Sequence, residues 1–470
     1  MASFLYKTDK FYGIDQSQED NCLSPGCATD ARNMCTDDGN LSVATGFSRV
    51  TRSPLPTDDT IYRTVIFHHK DGNIYVAAVG NSLYIGYGNS WLCMHTYSTE
   101  LSEHDFDFLE AKIGTEDYLL IGNGETGLLK YDGHEFSDFG SHELMSDRPV
   151  RYLAMYKNRL FAAGDRDFPN RLYWSKLPGD NRSIEDWSSD SASVNVSGGH
   201  TEIGMFDNDP IVAIKPLASQ LLIFKKNSIY RLYGDKPSDF TVEKIDVVTE
   251  YAPHTAIVHY GDVAFYLTRS GMYVFDGVNA HLMKDADKIK RILSSADVSV
   301  SHGTRTREKL IFSAKICGDD ALIEYDMRRQ TYMIRSGFQV SDIFTHDNTV
   351  YVVCDRYVCR FDGSLTYAGA PIHALWDTPM TDLNQKTMIK QLCELYLRGD
   401  MKKTGQLLLT TRTGGISRNY NVRLIDNEVT EIPLCDEGRA FSLRYENMAG
   451  GSFSLLGGTE LRLNLRGRCI

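Results

Sequence analysis

The sequence predicts an all-β protein: a β-propeller of about seven blade-like hairpins (51–380), with an extended N-terminal arm (1–50) and a small C-terminal antiparallel β-sandwich (381–470). Three observations carry that expectation. A hairpin unit recurs along the middle of the chain. The composition favours strands and turns, with 21 Phe, 26 Tyr and 38 Gly against only 13 Pro in 470 residues. After residue 375 the hairpin rhythm gives way to longer alternating segments.

The chain opens on residues 1–50, where "LSPGCATDARNMCTDDGNLSVATGFSRV" (23–50) is polar and turn-rich. Such a segment reads as an arm lying along the body or along a neighbour. The repeat follows. Each copy is an apolar run, a tight polar turn, a second apolar run closed by an aromatic, then Asp-Gly or a relative of it. The clearest copies are "EDYLLIGNGETGLLKYDG" (116–133), "GDVAFYLTRSGMYVFDG" (261–277) and "DNTVYVVCDRYVCRFDG" (347–363), with looser ones at 71–89, 157–175, 218–235 and 307–326. Their closing aromatics are Tyr87, Tyr131, Tyr173, Tyr233, Phe275, Tyr325 and Phe361. The mean spacing of about 46 residues matches one four-stranded blade. One hairpin cannot bury its apolar face alone, so blades must stack, and closing the ring removes long exposed edges.

The triplets Tyr131-Asp132-Gly133, Phe275-Asp276-Gly277 and Phe361-Asp362-Gly363 mark the turns that leave the hairpins. Glycine tolerates positive φ there and aspartate bonds the local backbone, so these residues are turn-formers before they are ligands.

Between the third and fourth closing aromatics, 177–204 is a Ser-, Asp- and Gly-rich insertion, expected as a long loop anchored by the packing of Trp187. Helix is scarce. "KDADKIKRILSS" (284–295) puts Ile289, Ile292 and Leu293 on one face, with Asp285 available as a cap. The C-terminal strands are read at 390–399, 406–412, 421–425, 440–446 and 460–467. In the first, Cys393, Leu395 and Leu397 face away from Glu394, Tyr396 and Arg398; in the last, Leu461, Leu463 and Leu465 alternate with Arg462, Asn464 and Arg466.

Charge and composition exclude several function classes. Fifty Lys+Arg against 62 Asp+Glu give a formal charge of -12, which argues against holding nucleic acid by phosphate neutralisation. No apolar run is long enough to span a membrane, and the first residues, "MASFLYKTDKFYG", lack a secretory signal, which predicts a chain kept without export. The ten cysteines show no C-x-x-C pair, so reduced, partly buried thiols are expected, with Cys22, Cys27 and Cys35 as a weak metal candidate.

Chemistry-bearing motifs are few. Gly122, Gly124 and Gly127 spell G-x-G-x-x-G, but a strand follows where a dinucleotide site needs a helix, so the hairpin-turn reading wins. Asp165 and Asp167, with Asp207 and Asp209, would supply oxygens to Ca²⁺ or act as acid and base on a sugar; loop carboxylates are usually solvated, and no catalytic residue and no cofactor is assigned. His68-His69 ends one strand and His254 and His259 flank another, none with a Ser or Cys partner set by spacing.

The segments at 23–47, 170–187, 221–234, 271–283 and 439–468 resemble the packaged-DNA stabilisation, or tail-nozzle, proteins of short-tailed bacteriophages. The resemblance covers most of the chain through loose patterns. It implies a homo-oligomeric ring, often sixfold, below the portal and adaptor of the virion, assembled in the host cytoplasm. Such a ring seals the genome and carries tail appendages, with no catalytic residues to transfer. A charge of -12 suits a conduit whose lining repels phosphates, so DNA passes through without tight binding, and no membrane is involved. Two alternatives remain open: a tail adsorption subunit presenting 177–204, and a polysaccharide-cleaving propeller using the four aspartates.

Overall fold

The computed structural model describes residues 2–467 apart from 88–89, 99, 102–104, 141–147, 180–181, 190–192, 206, 248–249, 402–405, 427 and 449. Seven antiparallel blades make a closed propeller. Blade 1 is Ile61–His69, Gly72–Val79, Ser82–Tyr87 and Ser90–Thr96; blade 2 is Asp107–Ile113, Glu116–Gly122, Leu129–Tyr131 and Phe136–Asp138. Blade 3 is Tyr152–Tyr156, Arg159–Ala163, Arg171–Trp174 and Gly199–Glu202; blade 4 is Ile211–Pro216, Leu221–Lys225, Ile229–Tyr233 and Thr241–Ile245. Blade 5 is Ile257–Tyr260, Val263–Thr268, Gly271–Phe275 and Ala280–Leu282. Blade 6 is built on Gly303–Arg305, Lys309–Ile316, Asp319–Asp326 and Thr331–Ser336. The first strand of each blade lies beside the first strand of the next, and Asp342–His346 of blade 7 returns to Ile61–His69 of blade 1.

Blade 7 contributes Asp342–His346, Thr349–Cys354 and Tyr357–Ser364, and its outer position is filled by Gly46–Arg49 from the start of the chain. Phe361 pairs with Phe47, and the register slips between Phe361 and Ser364. The Asp362-Gly363 pair is therefore a bulge inside one strand, which corrects its reading as the turn leaving a hairpin. Strand alternation drives the layers between blades. Separate apolar clusters fill the joints between blades 1 and 2 (Phe67, Ile121), 2 and 3 (Leu120, Leu160), 3 and 4 (Phe161, Ile223), 4 and 5 (Phe224, Tyr266), and 7 and 1 (Val353, Ala77).

The arm lies along its own chain. Ile334 of blade 6 pairs in parallel with Arg32, whose strand Asp30–Arg32 pairs with Leu375–Asp377, and the same sheet continues through Phe441–Met448, Gln406–Thr413 and Ile416–Val422. A second sheet, Val429–Gly438, Ile389–Met401 and Phe453–Arg466, takes Ala2–Thr8 and Leu41–Val43 against its last strand. The largest apolar cluster therefore runs from Phe312 of blade 6 through Trp376 to Leu409 and Leu463.

Several details depart from the sequence reading. Leu392, Leu395 and Leu397 are buried while Cys393 is not, because a bulge between Leu392 and Glu394 resets the alternation. The strand expected at 421–425 lies at Ile416–Val422, and Val429–Gly438 is an additional edge strand, a position that tolerates its Pro433. The insertion 177–204 is not all loop: Gly199–Glu202 is the outer strand of blade 3. Trp187 is buried against Leu153 and Tyr173 as expected. The expected helix divides into a 3₁₀ turn, Ala286–Ile289, and a short α-helix, Lys290–Ser294; Asp285 precedes it without a side-chain capping bond. Tyr233, aligned with the closing aromatics, is exposed, and Leu232 takes the buried position.

Candidate functional site

The first strands of the blades surround the propeller axis, and their polar residues form the candidate site. Asp342 sits at the joint of blades 7 and 1, fully buried. It accepts the Thr64 backbone N–H at 2.5 Å and lies 2.7 Å from His302 Nδ1 and 3.3 Å from Arg63 Nη1. Burial opposes its charge, but Arg63 and His302 hold its carboxyl below the usual range. Asp105 lies 3.1 Å from His254 Nδ1 and 3.4 Å from Arg151 Nη1; these charges overcome burial and bring it to about 2. Asp107 of blade 2 accepts the backbone N–H of Leu153 in blade 3 at 2.9 Å. Carboxylates at blade joints thus accept backbone donors of the next blade, satisfying groups that no sheet ladder reaches.

Beside this network a cavity of about 1150 Å³ is lined by Arg63, Lys215, His259, Arg305, Arg307 and Arg328, with Glu308 as the acidic lining residue. Its cationic lining contrasts with the chain's net -12. Among the described residues Lys215 has no ion pair, and burial followed by the nearby Arg63 lowers its pKa, with Asp107 and Asp105 opposing. His259 falls to about 4 through burial and the charges of Lys215 and Arg305. The Arg305 guanidinium lies 4.2 Å from the ring of Tyr260, which is 66% exposed. Cations that depress one another's pKa gain most from a bound anion, so this cavity suits a small oxyanion.

The aspartates expected to bind Ca²⁺ have other partners. Asp165 is buried, accepts from the Tyr173 hydroxyl at 2.5 Å and from Arg148 at 3.2 Å. Asp167 is exposed and donates its backbone N–H to Asp165. Asp207 holds the Lys225 ammonium at 2.6 Å, and Asp209 accepts from Ser228 at 2.7 Å and from the Asn227 backbone at 2.9 Å. Arg and Lys neutralise two of the four, and two neighbours' donors saturate the third. No metal-competent group among the described residues includes them, and none includes Cys22, Cys27 or Cys35.

The turn triplets are placed as follows. Asp132 accepts the backbone N–H of His134 and Glu135, both at 2.8 Å, and Asp276 those of Val278 and Asn279 at 3.0 and 2.8 Å. Gly133 and Gly277 have φ of +95° and +99°. The Tyr131 hydroxyl donates to the Gly133 carbonyl at 2.9 Å, and Phe275 is buried. Asp362 accepts from Ser364 at 3.0 Å within its bulge. Gly122, Gly124 and Gly127 join two strands of blade 2, with Asn123 bonding the turn. The axial cations escaped the sequence reading. A lysine inside the apolar run Ile211–Pro216 is the one signal that would have found them.

Neither a protein-family model nor a curated protein matches the sequence. Among solved structures, the extracellular domain of the BT4673 hybrid two-component system from B. thetaiotaomicron shares 13% identity over 67% of this chain, with a TM-score of 0.41; the match spans only 39% of that protein. The WD40 domain of Neurospora crassa Pan2 shares 9% identity over 67% of this chain and 95% of its own, with a TM-score of 0.43. PorZ of the Porphyromonas gingivalis type-IX secretion system shares 10% over 78% of this chain and 46% of its own, at 0.40. The chain is a β-propeller, on the evidence of its own seven blades.

Proposed function

We propose that this chain is a non-enzymatic structural protein of a short-tailed phage virion, assembled in the host cytoplasm, whose copies form a ring at the head–tail junction. The ring would close the portal channel, retain packaged DNA and carry tail appendages. The segments that resemble tail-nozzle proteins support it, since they fall on framework: 23–47 threads between propeller and sandwich, and 439–468 contains the sandwich strands Phe441–Met448 and Phe453–Arg466.

One observation carries the ring. The second sheet of the sandwich ends on one flank in Val429–Gly438 and on the other in Ala2–Thr8, beside the short pair Leu41–Val43 and Met34–Cys35, and among the described residues neither Val429–Gly438 nor Ala2–Thr8 meets a further strand. Val429 is 63% exposed and Phe4 and Leu5 about two-fifths exposed. Two unlike open edges join copies head to tail, the arrangement that closes rings. Electron microscopy and mass photometry of the purified chain should give closed rings. A monomer at every concentration tested would overturn the reading. Virions assembled without the chain should lose their DNA; full virions that fail only to adsorb would favour a host-binding subunit.

A further inference from the structure

The innermost strand of blade 1 ends in His68-His69, and neither the network at the axis nor the ring reading uses them. Successive strand residues face opposite ways, so the two rings part toward different neighbours. The His68 ring stacks on His346 of blade 7, with centroids 4.5 Å apart and planes at 25°. The His69 ring meets His134 of blade 2 edge-on at 5.5 Å and 82°. Each imidazole pair has an aspartate beside it. The ligand atoms of His68, His346 and Asp347 lie within 4.8 Å of one another, and so do those of His69, Asp71 and His134.

The geometry points to two transition-metal sites, one on each side of blade 1, which clip blade 7 to blade 1 and blade 1 to blade 2. In the first, His346 Nε2 lies 3.4 Å from Asp347 Oδ2; in the second, His69 Nδ1 lies 3.5 Å from Asp71 Oδ2. Two ligands about 2.1 Å from a tetrahedral ion are about 3.4 Å apart, so both pairs already have the separation of one tetrahedron edge. Asn73 Nδ2 lies 2.9 Å from His346 Nε2, and the Asp71 N–H donates to His69 Nδ1 at 3.3 Å; an ion would replace these donors.

Two further features favour ligation. Glu110 of blade 2 lies 2.9 Å from His68 Nδ1 and also takes the His68 backbone N–H at 3.0 Å. With Nδ1–H donating to that carboxylate, Nε2 keeps the lone pair, which is how outer carboxylates prepare metal-binding histidines. Around it, His68, Glu110, His346 and Asp347 line a cavity of about 390 Å³ that gives an ion access. On the other side Gly133 makes room for His69: a Cβ there would lie 2.8 to 3.0 Å from the imidazole atoms. Imidazole donors select zinc-like ions over calcium or magnesium.

The full-length chain, stripped with a chelator and titrated with Zn²⁺ by calorimetry, should take up two ions and melt at higher temperature. His134→Ala should remove one ion and Asp347→Asn the other; His68→Ala with His134→Ala should remove both, circular dichroism confirming the fold. Glu110→Gln should leave both sites but weaken one about tenfold or more. No Zn²⁺ uptake by the parent chain, or undiminished uptake by the folded double variant, overturns the proposal.

Discussion

Asp342 of blade 7 accepts the backbone N–H of Thr64 in blade 1 at 2.5 Å, across the joint where the ring of blades closes. The same carboxylate faces Arg63 and His302, so one buried side chain serves a backbone donor, a guanidinium and an imidazole. Asp342→Ala strands all three, and we expect it to cost about 3 kcal/mol in urea unfolding. Asp342→Asn keeps an acceptor and loses the charge, and should cost about half as much. If either variant unfolds within about 0.5 kcal/mol of the parent, the bond does not hold the ring shut.

The N-terminal strand Gly46–Arg49 completes blade 7, and Phe47 is its anchor. Its ring is fully buried, stacked on Tyr367 at 4.9 Å and edge-on to Phe338 and Phe361 at 5.0 and 5.2 Å. Phe47→Ala should cost about 3–5 kcal/mol. Hydrogen exchange should then rise in Tyr357–Ser364, its strand partner, and remain low in blades 3 and 4. Uniform loosening of all blades would show that the strand is not a local closure.

These two contacts mark the limit of what the sequence discloses. Six blades are legible because their strands adjoin in the chain and turns such as Asp132-Gly133 punctuate them. The seventh is only three parts visible, since no local pattern tells Gly46–Arg49 that its partner is Tyr357–Ser364. Cys393 looks inward by alternation, yet the bulge beside it is set by the pairing with Val429–Gly438, a long-range fact. The axial site was hidden for the same reason. Arg63, Lys215 and Arg305 come from three blades and converge only when the ring closes. His68-His69, by contrast, is visible as a dipeptide at a strand end; its partners are not.

Arg159 ties down the insertion between the third and outer strands of blade 3. It is fully buried and donates to the carbonyls of Ser175, Asn195 and Ser197 at 2.6, 2.6 and 3.0 Å. Among the described residues no carboxylate pairs with it, and burial lowers its pKa to about 10. Arg159→Leu leaves those carbonyls unsatisfied, so limited proteolysis should cut near 188–198 faster by tenfold or so, a weakening of about 1.4 kcal/mol. An unchanged cleavage rate would place the restraint in Trp187 alone.

The Asp-Gly turns separate two effects of one substitution. At Gly277, φ is +99° and the nearest atom to an added Cβ is 3.5 Å away, so alanine meets only backbone strain. At Gly133, with φ of +95°, the same Cβ would sit 2.8 Å from the His69 ring. We expect Gly277→Ala to cost about 1 kcal/mol and Gly133→Ala about 2–3 kcal/mol, measured by thermal unfolding. Equal costs would mean that His69 yields freely.

His259 gives the axial cavity a pH signature. Its folded pKa of about 4 lies below the ordinary imidazole value, because burial and the charges of Lys215 and Arg305 disfavour its protonation. The unfolded chain then binds the proton more readily. Stability is fully present above about pH 6.5 and falls as pH drops toward 4. Asp105 and Asp342, with carboxyls also below their usual range, lose their contributions only at lower pH. His259→Gln should therefore flatten the stability profile between about pH 6.5 and 4 by on the order of 1 kcal/mol, since cavity solvent screens part of the shift. Added phosphate should raise the histidine pKa in the parent chain, read from its imidazole proton resonances, and Lys215→Met should reduce that response. A His259 pKa indifferent to both phosphate and Lys215 would mean that the cavity's charges do not act on a common anion.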